Sequence, residues 1–371
     1  YTNYDFNDSL AFEYAREALN VAQRIDYGEG LQYAHTLIGI GHFSAGRYEQ
    51  ALEEFNRSAS YSARGTLHHA IYNLMLKGNV QTDLGFFDSA QVQYNKGIQL
   101  MDQVNDHRYE AQIYKGYARL KLTRWQNEEA LHYLRLADEA RKGETDTDRI
   151  DLYLVYARIY AQMSNFRAAT ENIDKVCQYS DPLDNNFQKG MCHLVRADIL
   201  YAQGLYPGAL TECFAALELS KIYTYPLMRA MIYTRLGETY AELSEYKLAS
   251  DFFYRALKIT EPAKLRPLTG QLYTELAWVN KDMGSYELAL DFANRSQTLR
   301  EEINDQRGIA NAMNVKGLIY FLMKNYNESL RIHQQALVIR RGINHREGIS
   351  ASLFNMALVY EELNMLEKAL E

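Results

Sequence analysis

A fixed internal period of about 40 residues constrains this chain more than any other feature. The stretch GLIYFLMKNYNESLRIHQQAL, Gly317 to Leu337, has the same pattern as GETYAELSEYKLASDFFYRAL, Gly237 to Leu257. In each, a small residue comes first, an aromatic stands at the tenth position, and a small residue follows three positions later. We call that last small residue the anchor of a repeat. The anchors are 39 or 40 residues apart, at Ala11, Ala51, Ala90, Ala130, Ala169, Ala209, Ala249, Ala289, Ser329 and Ala369.

The residue three positions before the anchor supports this register. It is aromatic in seven of the nine repeats from Ala51 onward, whereas a composition of 12% aromatic residues would give about one by chance. A fixed period of this length is typical of solenoids and propellers.

The spacing within one repeat favours helices over strands. Apolar residues at Tyr246, Ala249, Phe253 and Leu257 recur at intervals of three and four, which marks one helical face. The preceding segment has the same spacing, and a short turn lies between the two. That turn often contains glycine, at Gly46, Gly85, Gly204 and Gly284. Each repeat is therefore predicted to be a pair of antiparallel helices.

Two further features concern packing and capping. Small residues such as Gly237, Ala277 and Gly317 are predicted to let the paired helix approach closely, with the aromatic at the start of the second helix filling the gap. The linkers INDQRG, INHREG and IDYGEG also repeat, and begin at Ile303, Ile343 and Ile25. Asp305 and its counterparts in these linkers are predicted to cap the next helix.

The chain resembles the tetratricopeptide repeat family over essentially its whole length. The family pattern is matched best by Leu236, Gly237, Tyr240, Ala249 and Phe253. The period of 40, against the family's usual 34, is similar to a longer-helix subgroup in bacterial signalling proteins and scaffolds. The resemblance implies an all-α fold, a right-handed α-solenoid whose first helices line a concave groove. We expect residues 1–371 to form a single solenoid of about nine units, a fragment cut within repeats at both ends.

Composition argues against several classes of function. The net charge of −7 and pI of 5.8 show no basic footprint, so no nucleic-acid partner is expected. No apolar run approaches the length of about 20 residues that spans a bilayer, so no membrane contact is expected of this fragment. No catalytic or metal-binding motif was found. We therefore expect no cofactor, no metal and no enzyme within these residues, and any catalytic domain would lie outside them.

Two residue types needed separate interpretation. Cys177, Cys192 and Cys213 lack metal-ligand spacing and are interpreted as buried free thiols, with a Cys177–Cys192 contact as the alternative. His333 stands in a second helix where other repeats have Phe, and is interpreted as a partly buried structural histidine.

Counting back from the anchors gives the groove-facing positions that the resemblance implies. Along the chain, these positions hold first apolar or aromatic residues, then basic residues and then acidic residues. The ligand-groove candidates are Tyr72, Asn79, Lys115, Arg119, Arg158, Asp198, Tyr201, Glu238 and Trp278.

The basic centre of this groove has two interpretations. Lys115, Arg119 and Arg158 would repel one another, and a peptide carboxylate would relieve the repulsion. The alternative, which we favour for each residue alone, is an internal ion-pair network with acids such as Glu110 and Asp151. Trp278 is either a cation-binding ring or a packing residue.

A solenoid without catalytic residues is expected to bind a protein or peptide in its groove, and the chain could also form a homodimer. Our leading interpretation is the sensor or input region of a larger bacterial signalling protein, such as a histidine kinase with tetratricopeptide repeats. The alternatives are a cytoplasmic peptide-binding transcription regulator or scaffold, and the regulatory array of a caspase-like protease. Either a periplasmic or a cytoplasmic location is compatible with the sequence.

Overall fold

The computed structural model describes residues 8–104, 107–141, 143–146, 149–180, 186–222 and 226–365. These ranges contain eighteen α-helices and no β-strand. Successive helices from α1 to α11 and from α13 to α18 pack against each other as antiparallel neighbours. The predicted all-α class, built from successive helix pairs, is confirmed.

The helices are α1 (Asp8–Arg24), α2 (Gly28–Ser44), α3 (Tyr48–Ser60), α4 (Leu67–Leu84), α5 (Phe87–Val104), α6 (Glu110–Thr123), α7 (Asn127–Ala140), α8 (Ile150–Gln162), α9 (Phe166–Ser180), α10 (Asn186–Ala202), α11 (Tyr206–Ile222), α12 (Pro226–Glu242), α13 (Tyr246–Thr260), α14 (Arg266–Asp282), α15 (Tyr286–Glu302), α16 (Gln306–Leu322), α17 (Tyr326–Gly342) and α18 (Arg346–Glu362). Even-numbered helices are the first helices of their pairs and odd-numbered ones the second.

The chain divides into two compact units, Tyr1–Arg235 and Leu236–Glu371, and the division falls inside α12. The first unit contains α1 to α11 and the start of α12. The second contains the remainder of α12 and continues to α18. The organisation of the whole chain as one solenoid stays a prediction.

The anchors hold the same place in every second helix. From α3 to α17 each of these helices begins three residues before its anchor, and the anchors from Ala51 to Ser329 are fully buried. Ala369 and the side chain of Ala11 lie outside the described residues.

Turns within the pairs share one backbone conformation. The residue five positions before the anchor has a positive φ in all nine pairs from Gly46 to Asn364. Four of these residues are the predicted glycines, with φ between 73° and 85°. The other five, Trp125 among them, adopt φ of 56° to 61° despite a side chain. The turn geometry is therefore imposed by the helix pair even where the residue does not favour it.

Within each pair, a small residue on the first helix faces a fully buried side chain on the second. The ring of Phe253 lies against Gly237, so that a Cβ added at Gly237 would overlap it. In each pair, the first residue stands twelve positions before the anchor and the second stands four positions after it. These pairs are Gly39–Phe55, Gly78–Tyr94, Ala118–Leu134, Ala157–Ile173, Ala197–Cys213, Gly237–Phe253, Ala277–Ala293 and Gly317–His333. Glycine occurs wherever the partner is a ring, and alanine wherever the partner is smaller.

This finding corrects the predicted role of the aromatic at the start of the second helix. Phe253, not Tyr246, fills the space beside Gly237, and Tyr246 is only half-buried. The reason is that a helical side chain leans toward the N-terminus of its own helix, so it covers the surface above the preceding turn.

The cysteines also differ from the favoured interpretation. Cys177 on α9 and Cys192 on α10 form a disulfide with their Cα atoms 5.9 Å apart, whereas Cys213 is buried and forms no disulfide. The weaker alternative, a contact between neighbouring helices, is therefore the arrangement in the structure. Residues fifteen apart meet because α9 and α10 pack against each other.

We expect Gly237→Ala to lower the free energy of unfolding by about 2 kcal/mol. Overpacking of a core by one methyl typically costs up to about 3 kcal/mol, and the better helix propensity of alanine returns about 1 kcal/mol. Denaturant unfolding measures the change. The control is Gly342→Ala, where no atom lies within 4 Å of an added Cβ. The double variant Gly237→Ala/Phe253→Ile, which copies Ala157–Ile173, should recover much of the loss, and failure to do so would contradict the size-matching argument.

We expect the stability of the second unit to depend on pH through His333. This side chain is fully buried, both ring nitrogens lack hydrogen-bond partners, and burial lowers its pKa to about 4. Because the unfolded chain takes up the proton near pH 6.5 and the folded chain does not, the stability is complete above pH 6.5 and falls toward pH 4. The resulting decrease in the free energy of unfolding approaches about 3 kcal/mol. His333→Phe, which reproduces Gly39–Phe55, should remove this component from unfolding curves measured across the same pH range. Identical pH dependence in both proteins would contradict the assignment.

Candidate functional site

Five charged side chains lie on consecutive first helices of the first unit, and we call them the charged row. They are Asp83 on α4, Arg119 on α6, Arg158 on α8, Asp198 on α10 and Arg235 on α12. Electrostatic interactions connect Arg158 to the other four. The row contains three cations and two anions, so its formal charge is positive.

Four members of the charged row form two ion pairs. Arg119 Nη2 donates to Asp83 Oδ1 at 2.9 Å, and Arg235 Nε donates to Asp198 Oδ1 at 2.8 Å. Each pair joins two first helices of adjacent repeats. Burial raises the pKa of Asp83, and the charge of Arg119 opposes that rise.

Lys115, one turn before Arg119, forms a third pair. Its Nζ lies 2.8 Å from Asp151 Oδ2 on α8, and both side chains are largely buried. The internal ion-pair interpretation therefore holds for Lys115 through Asp151. Glu110, the other acid named for that network, lies 3.4 Å from His107 instead.

Arg158 is the cation that remains. The structure gives its guanidinium no ion pair or hydrogen bond with any described residue, although the side chain is only half-buried. Burial lowers the pKa of Arg158, Asp198 opposes this, and the charges of Arg119 and Arg235 lower it further. A half-buried cation beside two other arginines is poised to accept an anion.

The remaining candidates of the first unit differ in accessibility. Tyr72 stacks on Tyr109 with ring centroids 4.9 Å apart, and Tyr201 lies beneath the guanidinium of Arg235 at 4.3 Å. Asn79 is only 5% exposed, and its Oδ1 accepts a hydrogen bond from Tyr94 at 2.9 Å. Asn79 thus serves the interior of its helix pair rather than presenting its amide to a ligand.

In the second unit, the two candidates lie on different helices. Glu238 on α12 is buried and accepts a hydrogen bond from Gln271 Nε2 at 2.7 Å. Trp278 on α14 is half-buried, and Lys281 Nζ lies 4.7 Å from its ring centroid. Of the two interpretations of Trp278, a ring beside a cation or a packing residue, the first describes this contact, and the cation belongs to the same helix.

Comparison with known proteins shows a likeness to one repeat family. A family model described as tetratricopeptide repeat matches residues 228–302 and 308–371, which are 139 of the 371 residues. Over those residues the chain is similar to tetratricopeptide-repeat proteins.

Similar proteins share this repeat fold at low sequence identity. Regulatory protein RapG of Bacillus subtilis (strain 168) is 25% identical over 278 residues, which are 71% of this chain and 71% of RapG. A signal-transduction ATPase with a tetratricopeptide repeat sensor from Pyrococcus horikoshii has a TM-score of 0.58 at 16% identity. That match covers 85% of this chain, which spans about half, 49%, of the ATPase. The crystal structure of NprR in complex with its cognate peptide NprX has a TM-score of 0.51 at 18% identity, with 70% and 75% coverage.

Two members of this repeat protein's charged row escaped the sequence analysis. Asp83 and Arg235 lie seven and fourteen residues before their anchors, whereas Arg119, Arg158 and Asp198 lie eleven before theirs. Positions three or four apart share a helical face, so a search one turn to either side would have found both.

Metal and membrane sites were also sought within the described ranges of the repeat protein. No group of three or more His, Cys, Asp or Glu side chains there is arranged to hold a metal ion. None of the helices described has the length and apolarity needed to cross a membrane.

We expect Arg119→Gln to lower the free energy of unfolding by about 2 kcal/mol, between the values typical of exposed and of fully buried pairs. The substitution leaves the buried carboxylate of Asp83 without its counterion. Urea unfolding measures the loss. Arg167→Gln, at an exposed pair with Glu171, is the control and should change stability by less than about 0.5 kcal/mol. The double variant Asp83→Asn/Arg119→Gln should regain most of the loss, and a further decrease would show that the pair is not the cause.

Proposed function

We propose that this chain is the peptide-binding part of a regulatory protein. In this proposal the first helices of the first unit hold an extended peptide, and Arg158 binds a carboxylate of that peptide. The acid comes from an Asp or Glu side chain or from the peptide terminus.

The lack of a partner for Arg158 carries the proposal. Lys115, Arg119 and Arg235 each have a carboxylate within 2.9 Å, so a ligand would have to break an existing pair to reach them. Arg158 has no such carboxylate among the described residues, and its half-buried guanidinium is fork-shaped, which suits bidentate pairing with a carboxylate. A peptide acid would neutralise the surplus charge without displacing an internal partner.

The neighbours of Arg158 would set the position of the peptide along the row. Tyr72 and Tyr201 place aromatic rings at the α4 and α10 positions, on either side of α8, and each ring already contacts a neighbour, Tyr109 or Arg235. The paired carboxylates of Asp83 and Asp198 would discourage a second acidic residue close to the first. The site is thus suited to a peptide with one acid flanked by apolar or aromatic residues.

The similar proteins support a regulator over our leading interpretation. RapG is named a regulatory protein, and NprR was crystallised with a cognate peptide. These proteins agree better with the peptide-binding regulator, given above as an alternative, than with the input region of a histidine kinase. Their low identity to this chain makes the transfer of peptide binding a proposal rather than a finding.

We expect Arg158→Gln to abolish selection of acidic peptides without weakening the fold. The measurement is capture from a library of extended peptides that contain either Asp or Asn at one position, with circular dichroism as the fold control. Because the substitution removes an unpaired cation beside Arg119 and Arg235, the melting temperature should stay equal or rise. Arg158→Lys, which keeps the charge but not the fork, should retain weaker selection.

A matched control is Arg167→Gln, which removes an arginine that is 90% exposed on α9 of the same unit. It should select the same peptides as the parent. If Arg158→Gln also retains the preference for Asp, the charged row is not the recognition site. Loss of helicity in that variant would show instead that Arg158 is structural.

A further inference from the structure

A second cation without a carboxylate counterion among the described residues lies in the second unit, and comparison of two repeats reveals it. Arg300 on α15 and Arg340 on α17 hold equivalent positions, forty residues apart. Arg300 lies against Gly308, and Arg340 lies against Gly348, in the first turn of the following helix. A Cβ added at either glycine would overlap the arginine side chain. The two repeats thus bury an arginine in the same way.

Arg300 has a counterion from the linker. Its Nη1 forms an ion pair with Asp305 Oδ2, and its Nε donates to Ser296 Oγ at 3.3 Å. Asp305 Oδ1 also accepts from the backbone N–H of Gly308 at 2.9 Å, so the predicted cap is confirmed here. One carboxylate therefore neutralises the arginine and caps α16.

The equivalent linker residue beside Arg340 is His345, which makes no side-chain cap to α18. The predicted capping role is wrong at this position, since the imidazole forms no hydrogen bond with an N–H group of the first turn of α18. Both of its ring nitrogens are buried and have no hydrogen-bond partner. The substitution removes a charge as well as a cap.

Arg340 is only 3% exposed, and all the groups that accept hydrogen bonds from it are neutral. Its Nη1 donates to Gly348 O at 2.9 Å and to Ser352 Oγ at 2.7 Å, with longer contacts to the side-chain oxygens of Asn314 and Asn311. The Nε atom is buried without a partner. No carboxylate of a described residue lies within ion-pair distance of this guanidinium.

The charged groups facing Arg340 make the site more positive. Burial lowers the pKa of Arg340, and the neighbouring Arg307 lowers it further. Burial and the same two arginines lower the pKa of His345. Glu347, with a side chain 92% exposed, lies 3.9 Å from His345 Nε2, and Glu347 and Asp305 act on Arg307. A carboxylate in water screens a buried guanidinium only weakly.

We propose that Arg340, Arg307 and His345 form a binding site for the carboxylate of a ligand. The carboxylate takes the place that Asp305 occupies beside Arg300. It reaches the buried guanidinium by displacing the ring of His345, which breaks no hydrogen bond of that ring. Arg340 Nε and the imidazole then gain the acceptor that they lack, and the uncompensated charge is neutralised.

The proposal is independent of peptide binding at Arg158, because all its residues belong to the second unit. The carboxylate can come from a free small acid or from the end of a peptide chain. Both sources present the same planar group to the arginine, and the experiment distinguishes them by the size of the probe.

The test is thermal unfolding of the full chain with N-acetylglycine, and with N-acetylglycinamide as the uncharged match, at constant ionic strength. A ligand that binds only the folded state raises the melting temperature with concentration. We expect a rise with the acid and none with the amide. An equal response to both probes, or no response to the acid, would overturn the proposal.

Two variants at one position separate charge from capping. His345→Asp copies Asp305, so it should melt at a higher temperature and lose the response to N-acetylglycine. His345→Asn supplies a capping oxygen without a charge, so it should keep the response. A parent-like response in the Asp variant, or loss of the response in the Asn variant, would contradict the proposal.

An N-acetylated tripeptide acid identifies the source. A shift at least as large as that with N-acetylglycine indicates a chain terminus as the ligand. A shift with N-acetylglycine alone indicates a free small acid.

Discussion

The contact between a small residue on the first helix and a buried side chain on the second is the interaction on which the rest of the structure depends. Gly39, Gly78, Gly237 and Gly317 face rings, whereas the alanines at the same position face smaller side chains. In each case the side chain on the second helix has a volume that fits beside the small residue. The turns between the paired helices adopt the same left-handed backbone, even at Trp125 and Lys324.

A regular stack of helix pairs brings side chains of adjacent first helices into register. Charged residues there are poorly hydrated, so most form ion pairs between neighbouring repeats, as Asp83 does with Arg119 and Lys115 with Asp151. Two arginines are exceptions to this pattern of ion pairs. Arg158 has no ion pair with any described residue, and Arg340 has only neutral acceptors where its equivalent, Arg300, has Asp305. Each is a cation that no carboxylate of the described residues contacts, and both proposals rest on that imbalance.

Much of the fold was predictable because it repeats. The anchor spacing gave the helix pairs, and the glycines gave four of the turns, since period and backbone preference are local properties. The identity of the packing partner was not predictable in the same way. Tyr246 was expected beside Gly237, but the lean of helical side chains places Phe253 there. The Cys177–Cys192 disulfide likewise depends on the rotation of α9 and α10 about their axes, which sets whether residues fifteen apart meet.

The sequence by itself determined which side chains are charged, which helices carry them and how far apart they are along the chain. It therefore identified Lys115, Arg119 and Arg158 as a basic group on neighbouring helices. Only the tertiary structure decided which of them are neutralised, because an ion pair depends on distances of a few ångströms between residues some forty positions apart. Asp83 and Asp151 take two of the three cations, and Arg158 is left. The tertiary structure also decided the role proposed for His345. Only the structure shows that Arg340 is buried beside this histidine, with no carboxylate of a described residue at ion-pair distance.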